Sequence, residues 1–122
     1  MRKLVGASSH HEWEIKELRA DREFALEYLK LALESLDDPE NRGASLLMLR
    51  ALAEAYGGLG AVAASTGISR ESLYRSLSPK GNPTLKTLVA VVNTMGLRLS
   101  VVEARQAKRK RTTSRATRKK AA

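Results

Sequence analysis

The chain contains no cysteine, one tryptophan, one phenylalanine and three prolines in 122 residues. Without cysteine there is no disulfide framework, no thiolate-ligated metal centre and no thiol nucleophile. The only two histidines, His10 and His11, are neighbours. Adjacent side chains point apart on any regular element, so with no further His or Cys they do not make a metal site. No apolar run is long enough to span a membrane, and no charged-then-apolar leader with a small-residue cleavage site opens the chain. A cytoplasmic protein away from membranes is therefore expected. Nor is an enzyme expected, because no motif places a carboxylate pair or an activated nucleophile, and no catalytic residue, metal or cofactor is assigned. With aromatics at only 4% of the chain, the core must rest on Leu, Val and Ala, which suits an all-α body.

What is present is positive charge, unevenly spread. The net charge is +9. Residues 1–57 carry −3, residues 58–103 carry +3, and residues 104–122 carry +9 with no acidic side chain. A polyanion partner fits that asymmetry. The tail, ARQAKRKRTTSRATRKKAA, has almost nothing to bury, so disorder in isolation is expected, with several phosphate contacts within its reach.

The most informative stretch is Leu59 to Leu77, LGAVAASTGISRESLYRSL. Small apolar residues run to Ser65, Thr66 and Gly67 interrupt them, and a second helical pattern restarts at Ser69. Ala63 is small where two helices must approach, and Gly67 can take the left-handed conformation that a sharp interhelical turn needs. Ile68 is an apolar plug. Ser69 can cap the second helix by accepting from the amide of Glu71 or Ser72, and Leu73 and Leu77 face inward. The outward face holds Arg70, Glu71, Tyr74 and Arg75. These features describe a helix-turn-helix whose second helix suits the DNA major groove, where Arg pairs with guanine and Glu accepts from cytosine. Gly58, Gly60 and Ala63 also satisfy a dinucleotide fingerprint, G-x-G-x-x-A. That motif needs a strand before it and an acid about twenty residues on, and the chain has neither, so the cofactor reading is rejected.

Around this centre the pattern predicts three segments. Residues 1–20 form a poorly structured, solvated extension in which Trp13, Ile15 and Leu18 can dock. Residues 21–103 form the folded domain, and residues 104–122 the tail. Within the domain, Asp21 caps a helix to about Leu36 whose inner face is Ala25, Leu29, Ala32 and Leu36, widened by Phe24, Tyr28 and Leu31. A second helix ends at Tyr56 and buries Leu46, Leu49, Ala53 and Tyr56. After Leu77 the loop Ser78 to Pro83 presents Lys80 and Asn82 for phosphate contact. Thr84 then caps a last helix with Leu85, Leu88, Val89, Val92 and Met95 inward and Gly96 as its stop. Five helices result. Leu97 to Val102 alternates as a strand would, and pairing with its copy in a homodimer would satisfy its edge.

These residues resemble the HigA-like antidote proteins of addiction modules, which carry a Cro/phage-repressor-type helix-turn-helix. The likeness spans about Asp21 to Val102. It is carried by GISRESLYRSL (Gly67 to Leu77), GNPTLKTL (Gly81 to Leu88) and GLRLSV (Gly96 to Val101). It implies an antitoxin that binds a small RelE/HigB-like ribonuclease toxin and represses its own operon on double-stranded DNA. By position, Ser69, Arg70, Glu71, Tyr74 and Arg75 fall on the DNA-contacting slots, and Ala63, Gly67, Ile68 and Leu73 on the structural ones. Thr66 departs from the pattern, standing where an apolar residue is usual, and the basic tail extends past the family's end. An architectural DNA-binding protein relying on that tail, without a toxin partner, is the alternative reading.

Overall fold

Six helices and no strand make up the described part of the chain, residues 6–104, in this computed structural model; residues 6–9 are described by backbone alone. They are α1 (Gly6–Ala20), α2 (Arg22–Glu34), α3 (Arg42–Ala55), α4 (Gly58–Thr66), α5 (Arg70–Ser76) and α6 (Leu85–Thr94). Residues 1–5 and the basic tail from 105 onward, with the expectations attached to them, lie outside the described residues.

The core is aliphatic, as the shortage of aromatics requires. α3 runs through its centre, burying Leu46, Leu49, Ala51, Leu52, Ala53 and Ala55, and it packs against α1, α2, α4 and α6. Side chains repeating every three or four positions share one face of a helix, which is why Leu46, Leu49 and Ala53 lie on the same buried stripe. α2 starts as the sequence indicates: the Asp21 carboxylate accepts from the Phe24 amide at 3.0 Å, satisfying one of the donors orphaned at a helix start. Between α3 and α4 the chain turns by 95°. Gly57 (φ 113°) and Gly58 (φ 84°) make that corner, both in the left-handed region where a Cβ is strained.

Three expectations need correction. Residues 6–20 of the expected extension are not loose, because α1 occupies Gly6–Ala20 and docks on α2 and α3. Leu18 is fully buried and Ile15 packs against the core. The Arg19 guanidinium donates to the Ala55 carbonyl at 3.2 Å, supplying positive charge at the C-terminus of α3, whose own last turn has no basic residue. The domain therefore has a sixth helix.

The second correction concerns which faces turn inward. On α2, Ala25, Leu29 and Ala32 are buried, but Phe24 and Leu31 remain 38% and 55% exposed. On α6 the buried side chains are Thr87, Ala90, Val91 and Val92, with Met95 following, while Leu85 stands in solvent. Thr84 caps α6 by accepting from the Thr87 amide at 3.1 Å, and its side chain also bonds the Thr87 hydroxyl. That exchange draws Thr87 inward and rotates Leu85 out.

The third correction is the strand. Leu97 packs on the core and its amide bonds the Val92 carbonyl at 3.2 Å. Arg98 to Val102 are exposed and belong to no strand among the described residues, with Val101 90% exposed. A strand exists only through its partner, and the described residues offer this segment none.

Candidate nucleic-acid interface

The stretch expected to form a helix-turn-helix comprises α4, the turn Gly67–Ser69, and α5. Gly67 adopts φ 77°, the left-handed geometry its position calls for, and its amide bonds the Ala63 carbonyl at 2.8 Å. Thr66 closes the turn from within. Its buried hydroxyl donates to the Val62 carbonyl at 2.9 Å and accepts from the Ile68 amide at 3.0 Å. The polar residue where an apolar one is usual is thus fully satisfied, and it fixes the exit of the turn. A helix, α3, stands where a dinucleotide fingerprint would need a strand.

Ser69 caps α5 through its hydroxyl, which accepts from the Ser72 amide at 3.1 Å. Leu73 and Leu77 are fully buried and pin α5 to the body. Arg70, Glu71, Tyr74 and Arg75 are all exposed, on the outward face the sequence pattern assigns them.

With Ser69 at the cap of α5, the structure divides the other six predicted contact residues between two flanks of the helix. On one flank, Arg75, Lys80 and Asn82 line a shallow concavity of about 450 Å3 with Ser72, Ser76, Ser78 and Gly81. Gly81 makes this approach possible: a Cβ there would overlap the Ser76 and Arg75 carbonyl oxygens, so no larger residue fits without moving the loop. Arg42 holds the loop from behind, donating to the Gly81 carbonyl and to the Asn82 side-chain oxygen, each at 3.1 Å. The Asn82 amide nitrogen is left as the group that can donate to a phosphate.

On the other flank, Arg70, Glu71 and Tyr74 line a second concavity of about 400 Å3 with Glu54 and Leu59. The Arg70 guanidinium lies over Gly60, whose missing side chain makes the room, since a Cβ there would sit 2.7 Å from a guanidinium nitrogen. The Tyr74 ring lies under the Arg50 guanidinium, 4.1 Å from its centroid, a cation–π contact. Arg50 also donates to the Ser78 hydroxyl at 3.3 Å, and Ser78 in turn donates to the Tyr74 carbonyl at 2.7 Å. Tyr74 is thereby drawn toward α3, to one side of the exposed ridge formed by Glu71 and Arg75.

Sequence reasoning missed Arg50 and Arg42. Arg50 had a signal, because it lies four residues after Leu46 and three before Ala53, on the buried stripe of α3. Arg42 had none, since the partners it holds in the loop, Gly81 and Asn82, are 39 and 40 residues away. Near the other end of α3, His11 bonds Glu54 at 2.9 Å and lies 4.0 Å from Glu14, so this histidine helps seat α1.

A family model described as "Probable addiction module antidote protein" matches residues 9–103. The chain belongs to that antidote family. The match opens inside α1 and closes past α6, so it takes in most of α1. A Haemophilus influenzae protein, named only as an uncharacterized protein, is 43% identical over 44 residues. That stretch covers 36% of this chain and 45% of the relative, so the chain matches less than half the relative's length. No solved structure matches this chain.

Proposed function

We propose that this antidote is a homodimeric, sequence-specific DNA-binding repressor of its own operon and the antitoxin of a type II module, neutralising a RelE/HigB-like ribonuclease in the cytoplasm. The observation that carries the DNA half is the capped, exposed α5, held against α4 by Gly67 and Thr66 and flanked by Arg75, Lys80 and Asn82. Arg70, Glu71 and Arg75 read base edges, Tyr74 forms the wall on the α3 side, and Ser69, Lys80 and Asn82 fix register on phosphates. Protruding Leu99, Val101 and Val102 support a dimer in which this segment pairs with its copy, presenting two α5 helices to successive major grooves about 34 Å apart.

A reporter fused to the gene's own upstream region tests the repressor. Expression of the wild type should silence it, and Arg70→Ala with Arg75→Ala should release it while leaving the melting temperature unchanged. Unaltered reporter output with and without the wild type would reject the reading. The strong charge of residues 104–122 favours one rival, an architectural protein that binds DNA without sequence choice. Deleting the tail would then abolish binding instead of trimming its nonspecific part.

A further inference from the structure

α2 carries an apolar stripe that the rest of the described chain leaves open. Phe24, Tyr28 and Leu31 follow each other at i, i+4 and i+7 and share one face. The Phe24 and Tyr28 ring centroids lie 5.5 Å apart, and of the three only Tyr28 also packs on the core. Leu31 is more than half exposed. Along its outer margin run Glu23, Glu27, Lys30 and Glu34, with Lys30 and Glu27 3.7 Å apart. Residues 21–40 hold seven acidic side chains and two basic ones, in a chain whose net charge is +9. One of the two bases, Arg22, donates to the Met95 carbonyl at 2.7 Å and lies over Tyr56.

The chemistry of this face narrows what can cover it. DNA is repelled by the acids, and α2 packs on α1 and α3 whereas α5 packs on α4. The chain's own tail, residues 105–122, would neutralise the acids but contains no Leu, Ile, Val, Met or aromatic residue to fill the stripe. A second copy docked by two-fold symmetry would set one acidic margin against another. A cationic protein surface with apolar side chains at its centre satisfies both the stripe and its margin.

We propose that the Phe24–Tyr28–Leu31 face of α2, with its acidic margin, is the docking surface for the module's toxin, which engages it through a basic surface centred on apolar side chains. The proposal rests on the antidote reading above. Apolar contact at the centre would set the lifetime of the complex, and the acidic margin its rate of formation.

The test uses the full chain and the purified product of the adjacent small gene, titrated by calorimetry and followed by stopped flow. Wild-type protein should bind, more slowly at higher salt. The double variant Phe24→Ser, Leu31→Lys should weaken binding at least 100-fold. Glu27→Lys with Glu34→Lys should slow association about tenfold or more. Both variants should keep the wild-type circular dichroism and operator affinity, since neither touches α5. Undiminished binding by both variants, with the wild type also binding, overturns the surface and leaves the antidote reading standing. No binding by the wild type overturns both. Variants that lose self-association while keeping the adjacent gene's product overturn the proposal in favour of a second copy.

Discussion

Replacing Thr66 with valine keeps the shape of the side chain and removes only its chemistry. The hydroxyl accepts from the Ile68 amide at 3.0 Å and donates to the Val62 carbonyl at 2.9 Å, with the Ala63 carbonyl a longer alternative at 3.5 Å, in a residue only 6% exposed. A net hydrogen bond contributes about 0.5–1.5 kcal/mol, and a buried donor left without a partner costs about 1–3 kcal/mol. Valine returns part of this by burying one more methyl. The expected loss is about 1–2 kcal/mol, which for a domain of this size lowers the melting temperature by roughly 5–15 °C. Thr66→Ser is the control, since it keeps both contacts and removes only a methyl. Thermal denaturation gives the magnitude, and hydrogen exchange at Ile68 gives the cause. That amide should be protected in the wild type and in Thr66→Ser, and exchange faster in Thr66→Val. A valine variant as stable as the wild type, with Ile68 still protected, would refute the role given to the hydroxyl.

Other perturbations follow from the same geometry. Gly81→Ala should destabilise the domain by about 1–3 kcal/mol in urea titrations, because the new methyl meets the carbonyls that end α5. The same change should weaken operator binding by displacing Lys80 and Asn82. Leu18→Ala, which empties a fully buried site beneath α1, should cost about 2–5 kcal/mol by denaturant unfolding. Arg50→Met, which removes the cation–π contact and the bond to Ser78, should cost about 1 kcal/mol. Arg70→Ala should lose about 1–3 kcal/mol of operator binding and relax sequence preference if its contact is bidentate to a base, as measured by competition.

How much of this could be read from the sequence depended on the range of the interaction concerned. Caps and turns are local: Asp21, Ser69, Thr84 and Gly67 announce themselves by residue type, and each does in the structure what that type predicts. The outward set on α5 was legible because Leu73 and Leu77 fix which way the helix faces. α1 was not, because its sequence has weak amphipathic periodicity and its helicity is secured by distant partners, Leu18 in the core and Arg19 and His11 on α3. The wide apolar face expected of α2 failed for a related reason. Periodicity says which residues share a face, but not whether the domain supplies enough neighbours to cover Phe24 and Leu31. The spacing of Arg50 to Leu46 and Ala53 marks its place on α3 but not its partner Tyr74, and no local pattern encodes the Arg42 tie to the Ser78–Pro83 loop.

The most direct test of the central claim is an equilibrium titration of the full chain against its own upstream region and a scrambled duplex, at two salt concentrations. The account predicts a large preference for the native duplex that persists at the higher salt, where the sequence-independent contribution of the basic tail is screened. Equal affinity for the two duplexes, collapsing together as salt rises, would contradict it, and would mean that α5 does not read sequence.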